Sequence, residues 1–125
     1  MTPTGISVVI ADDEADVRLL LRLQLEGRGF EVVGEAADGR TAIEQMAATA
    51  ADVVVMDLLM PGVSGIQAIA EIRADQPDLK VVAYTAVAGD YVRDEMARLR
   101  VPLLLKSGDI EPLANTIREL AGAKT

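Results

Sequence analysis

Apolar residues in this chain fall into two alternating textures: short dense runs, and longer stretches in which they recur every three or four positions. Dense runs read as strands and the recurring stretches as helices. Ile6 to Ala11 predicts a first strand. Glu14 to Glu26 predicts a helix with Val17, Leu20, Leu21 and Leu25 on one side, ended at Gly27 to Gly29. Phe30 to Glu35 is a second, more alternating strand. Asp38 suits an N-cap, for a helix with Ile43, Met46 and Ala47 inward. Asp52 to Met56 is almost wholly apolar, as befits a central parallel strand covered on both faces. Ser64 caps a third helix, Gly65 to Ala74, which Pro77 closes. Leu79 to Tyr84 is a fourth strand, and Asp90 to Arg100 a helix repeating Val92, Met96 and Leu99. Val101 to Leu105 is a fifth strand. Ile110 to Ala121 sets Ile110, Leu113, Ala114, Ile117 and Leu120 on one stripe.

Unbroken alternation of five strands and five helices predicts an α/β fold, a doubly wound parallel sheet with helices on both faces. Right-handed crossovers and the order 2-1-3-4-5 make it flavodoxin-like. Pro102 agrees, because proline is tolerated at strand starts and on edges, and this order puts the fifth strand at an edge. The expected organisation is one domain over residues 1–125, with no output domain.

Composition narrows the chemistry. Half of the 125 residues are apolar, enough for one core, yet no run is long enough to span a membrane. The N-terminal residues lack the basic and apolar segments of a secretory signal, so a cytoplasmic protein is expected. There is no cysteine for a disulfide or thiolate site, and no histidine to serve as general base or zinc ligand. A net charge of −8 argues against direct nucleic-acid binding.

The polar residues that remain informative stand at strand ends. Asp12 and Asp13 follow the first strand, Asp57 the third, Thr85 the fourth and Lys106 the fifth. In the predicted order the first and third strands are neighbours, and the crevice at their C-terminal ends is where open α/β sheets bind ligands. Clustered carboxylates repel, and one must take up a proton unless a cation relieves them. Magnesium does so with hard oxygen ligands while leaving room for phosphate oxygens. Each residue alone has an ordinary role as a turn, cap, β-former or solvated charge, with Asp13 a candidate N-cap for the first helix. Their convergence on one lip is what points to a site.

Ala11-Asp12-Asp13-Glu14, Met56-Asp57-Leu58-Leu59-Met60-Pro61-Gly62, Gly65, Thr85-Ala86 and Lys106, in this order, resemble the receiver domain of bacterial two-component response regulators over nearly the whole chain. Ile10 to Glu14 and Val33 to Gly39 are similar to the subgroup often joined to helix-turn-helix output domains. The resemblance implies a phosphorylation switch rather than an enzyme acting on a separate substrate. Asp57 would take a phosphoryl group from a sensor histidine kinase or histidine phosphotransfer protein. Asp13, Asp57 and the Leu59 carbonyl would ligate Mg2+, with Asp12 acting mainly through water. Lys106 would neutralise charge on the transferring group, and Thr85 would turn toward a phosphoryl oxygen. Output would pass to a partner through the face of the fourth helix, fifth strand and fifth helix, as a monomer or a phosphorylation-dependent dimer.

Four departures from the family pattern carry expectations of their own. Leu103 stands where receivers commonly have Tyr or Phe, so the aromatic rotamer switch cannot operate as usual and the output response is expected to be blunted or altered. Tyr84, next to Thr85, should face the other side of the sheet. Ser107 replaces the usual proline after the lysine, so a trans bond is expected. The segment from Arg98 to Leu104 lacks the usual glycine-rich turn. Leu59 and Val87, at positions that tune hydrolysis in the family, are both apolar, which suggests a long-lived phosphoryl state.

Three other readings compete. The alternative in the same family is the receiver portion of a DNA-binding transcriptional regulator. A magnesium phosphohydrolase would want a second acid two residues after its nucleophile, where Leu59 stands. A flavin carrier would want aromatic stacking, and only Phe30, Tyr84 and Tyr91 are aromatic.

Overall fold

In the computed structural model, residues 3–60, 62, 64–86 and 88–122 are described. The strands are β1 (Ser7–Ala11), β2 (Glu31–Ala36), β3 (Val53–Met56), β4 (Lys80–Thr85) and β5 (Leu103–Leu105). The helices are α1 (Ala15–Glu26), α2 (Gly39–Thr49), α3 (Gly65–Asp75), α4 (Asp90–Arg98) and α5 (Glu111–Ala121). All strands are parallel, in the order β2-β1-β3-β4-β5. This is the arrangement expected from the alternation.

Side-chain alternation divides the core into two layers on opposite faces of the sheet. Val9, Val54, Met56, Val81 and Ala83 pack against Met46 of α2, Ile69 and Ile72 of α3 and Met96 of α4. Val8, Ile10, Val53, Val55, Val82 and Tyr84 pack against Leu21 and Leu25 of α1 and Leu113 and Ile117 of α5. Every residue of β3 is buried, as a strand covered on both faces must be.

Capping follows the sequence closely. The Asp38 carboxylate accepts from the Thr41 N–H at 2.8 Å, and Ser64 Oγ accepts from the Gln67 N–H at 3.2 Å. Two inward assignments are corrected. Leu20 is 55 % exposed, and Ala47 is exposed. On α1 the fully buried residues are Leu21 and Leu25, so Leu20 sits a third of a turn outside the core stripe. On α2 the buried positions are Ala42 and Met46, and Ala47 is displaced in the same way.

The largest boundary differences lie at the β5 edge. The fourth helix stops at Arg98, not Arg100, and β5 has three residues, not five. Arg100 adopts a left-handed φ of 58°, and the Val101 N–H turns back to the Met96 carbonyl at 2.8 Å. This closing turn uses up residues that the apolar pattern had assigned to the strand. Pro102 lies just before β5, which is at the sheet edge as predicted.

Candidate functional site

Register brings the strand-end residues to one height. Ala11 pairs with Met56, and Met56 with Ala83, so Asp12 and Asp57 leave adjacent strands together. The Asp57 N–H donates to the Ala11 carbonyl at 2.9 Å, and the Asp12 N–H to the Ala36 carbonyl at 2.9 Å. On the other side Thr85 pairs with Leu105, and the Lys106 N–H donates to the Thr85 carbonyl at 2.8 Å. Backbone bonds thus fix each functional residue before its side chain makes any contact.

The start of α3 packs on the Asp57 backbone. A Cβ added at Gly65 would lie 1.9 Å from the Asp57 carbonyl oxygen and 2.7 Å from Leu58 Cα. Only glycine allows this approach.

Asp12 is 1 % exposed and Asp57 7 %. The Lys106 ammonium bridges them, 2.5 Å from Asp12 Oδ2 and 3.3 Å from Asp57 Oδ2. Asp12 Oδ1 accepts from the Glu14 N–H at 2.9 Å, and Asp57 Oδ1 from the Leu59 N–H at 3.2 Å. Glu14 is the N-cap of α1 and makes no side-chain cap bond. The capping role weighed for Asp13 is therefore not realised: the loop donor is met by Asp12, and Asp13 is exposed.

Burial pushes the Asp57 carboxyl above its ordinary range. The Leu59 N–H and the Lys106 charge oppose that rise, and the Asp12 charge adds to it. Burial alone would lower the Lys106 ammonium, but its hydrogen bond to Asp12 and the charges of Asp57 and Asp12 outweigh it and hold the group above its usual value. One carboxylate oxygen from each of Asp12, Asp13 and Asp57 lies within 4.8 Å of the others. Three hard oxygens gathered around a carboxyl that resists ionisation fit a small divalent cation such as Mg2+. Thr85 is fully buried, and its hydroxyl has no hydrogen-bond partner among the described residues.

Asp12, Asp13, Asp57, Thr85 and Lys106 thus gather at one lip, as predicted. Leu59 follows Asp57 with its side chain 60 % exposed. Pro61 of the turn and Val87 lie outside the described residues. The Lys106–Ser107 bond is trans, as expected, and Tyr84 lies on the face opposite Ala83. Arg18 escaped the sequence reading. Its guanidinium donates to the Asp12 carbonyl at 2.6 Å and to Glu35 at 3.2 Å, tying the β1–α1 loop to β2. An arginine on a polar helix face gives no local sign of that task.

Comparisons with known proteins agree with the geometry. The family model for the response regulator receiver domain matches residues 8–118. The chain is 40% identical over 83 residues to the chemotaxis protein CheY of Thermotoga maritima, covering 66% of this chain and 69% of that protein. It is 41% identical over 81 residues to the response regulator UvrY of Escherichia coli O6:H1, covering 64% of this chain but only 37% of UvrY. The solved structure of the response regulator TrrA from Thermotoga maritima, in complex with Mg2+ and beryllium fluoride, superposes with a TM-score of 0.83 at 28% identity over 92% of this chain and 98% of that one.

Proposed function

Because the chain belongs to the response regulator receiver domain family, we propose that it is a phosphorylation-operated signalling switch with Asp57 as phosphoacceptor. The observation that carries this reading is the Lys106 ammonium spanning Asp12 and Asp57 beside three carboxylate oxygens within 4.8 Å. An Asp57 oxygen would attack the phosphorus of a phosphohistidine on a sensor kinase or phosphotransfer protein. The new oxygen–phosphorus bond replaces the nitrogen–phosphorus bond, and the imidazole leaves with the electron pair.

Asp13, Asp57 and the Leu59 carbonyl are the proposed Mg2+ ligands. Both Asp12 oxygens already engage Glu14 and Lys106, which supports a contact through water for Asp12. When bound, the ion supplies positive charge to the phosphoryl oxygens. Lys106 would supply a second positive charge to the same group. The Thr85 hydroxyl, without a hydrogen-bond partner among the described residues, would turn toward a phosphoryl oxygen, and its motion would bias α4 and β5. The domain's only chemistry would be its own phosphorylation and dephosphorylation. Output through α4, β5 and α5, as a monomer or phosphorylation-dependent dimer in the cytoplasm, belongs to the same proposal.

Magnesium-dependent labelling by acetyl phosphate, located by mass spectrometry, tests it. Label on Asp57 that is absent from Asp57→Asn is the expected result, and label at another residue refutes the assignment. A second reading, the receiver portion of a longer DNA-binding regulator, draws on the small share of UvrY that the chain spans. The length of the gene decides between them.

A further inference from the structure

Lys106 reaches the acidic pocket from thin support. β5 has three residues, Leu103 and Leu104 are only half-buried, and Leu105 is 45 % exposed. Ser107, Gly108 and Asp109 are exposed, with Gly108 at a φ of +86°. Their side-chain bonds stay within the loop and its junction with α5: Ser107 Oγ accepts from the Asp109 N–H at 3.4 Å, and Asp109 Oδ1 from the Glu111 N–H at 3.0 Å. Yet the ammonium is held 2.5 Å from Asp12. A long flexible side chain does not settle there unless something restricts it.

Asp12 and Asp57 hold the Lys106 tip, and Tyr84 stands beside the same cavity as its stem. Tyr84 directly precedes Thr85, whose carbonyl holds the Lys106 N–H. It is 6 % exposed in the α1–α5 layer. With Lys106 and Gly108 it lines a cavity of about 180 Å³ that Val17, Leu20 and Leu21 of α1 close from the other side. Burial holds the phenol above its ordinary pKa, the Lys106 charge opposes that rise and the Asp109 charge adds to it.

We propose that Tyr84 is a positioning residue for Lys106: its ring walls the cavity beside the lysine stem and so keeps the stem where its ammonium can span Asp12 and Asp57. The aromatic missing from position 103 on one face of the sheet is replaced in this sense by one on the other face, where it acts on the lysine rather than on the threonine. The consequence for reaction rate rests on the phosphoryl-switch reading, but the placement of Lys106 does not.

The chain has three lysines, at 80, 106 and 124, so the Lys106 ammonium can be followed by NMR in lysine-labelled protein and assigned with Lys106→Arg. In the wild type and Tyr84→Phe, an exchange-protected Lys106 signal is expected. In Tyr84→Leu it should be lost. Acetyl phosphate labelling of Asp57 should slow about tenfold in Tyr84→Leu and stay within about twofold of wild type in Tyr84→Phe, because a small misplacement of a charge-stabilising group is costly. Magnesium affinity, read from shifts of the Asp13 amide, should not change. Should Tyr84→Leu fail to fold, Tyr84→Met serves the same comparison. A protected Lys106 signal or wild-type labelling in the leucine or methionine variant overturns the proposal, as does a phenylalanine variant as slow as the leucine one. Absence of label from wild-type Asp57 would instead overturn the phosphoryl reading, with the Lys106 signal still deciding the positioning claim.

Discussion

The two sides of the strand-end pocket are built differently. On the β1–β3 side, Asp12 and Asp57 continue strands whose last four residues are buried, and each is pinned by a backbone bond to its neighbour. On the β4–β5 side, Lys106 follows a short, half-exposed edge strand; its backbone is bonded to Thr85, but its ammonium is set by ion pairs with Asp12 and Asp57. The short acid side chains therefore stay where the sheet puts them, whereas the long cationic side chain is placed by its partners. A rigid acidic floor and an adjustable cationic wall suit a site that must accept and release a dianion.

The most damaging way to break the rigid side is Gly65→Ala. The added Cβ would meet the Asp57 carbonyl at 1.9 Å, and backbone cannot yield as a side-chain end can. We expect a loss of about 3 kcal/mol or more in urea unfolding, together with loss of magnesium binding. On the edge side the matching test is Arg73→Met. The Arg73 guanidinium donates to the Leu99 carbonyl at 2.9 Å and also to the Leu79 carbonyl, so it joins the start of β4 to the turn before β5. Burial and the nearby Arg100 hold its pKa below the ordinary arginine value. Removing it should cost about 2 kcal/mol, the scale of a charged hydrogen bond, and amide exchange should quicken in residues 99–105 before it does in β1 or β3.

Asp57→Asn sharpens the comparison electrostatically. Because burial raises the folded-state pKa of Asp57, ionising it opposes folding. That penalty is complete above the folded value and vanishes below the unfolded one, about 4. Without metal, Asp57→Asn should therefore melt higher than the wild type at neutral pH. The gap should close as pH falls through the raised value toward 4. Lys106 keeps its Asp12 partner in the variant, so the gain is not cancelled. Magnesium held at the proposed site of the folded wild type should also narrow the gap. A variant that melts lower than the wild type at pH 7 without metal would refute the assigned direction. The smallest effect concerns the rim. Leu59→Asn places an amide on an exposed position where it can orient water, and phosphate release from labelled protein should quicken a few-fold with stability within about 0.5 kcal/mol of wild type.

Most of the pocket was legible in the sequence, because acids that end apolar runs must emerge at the C-terminal edge of a parallel sheet. Asp12, Asp57, Thr85 and Lys106 needed only strand order to be brought together. Arg18 and Arg73 were not legible, since their acceptors are backbone carbonyls contributed by distant loops. The corrections at Leu20, Ala47 and β5 share a cause. An apolar residue at a helix flank or sheet edge satisfies the pattern whether or not another element covers it.

Alternation of apolar texture determined the elements, the fold class and which residues end each strand, because periodicity is a local property of the chain. Only the folded arrangement decided the strand order, that Lys106 pairs with both Asp12 and Asp57, and that burial raises the Asp57 carboxyl. Those are consequences of distance and of water exclusion, which exist only once separate segments have been packed together.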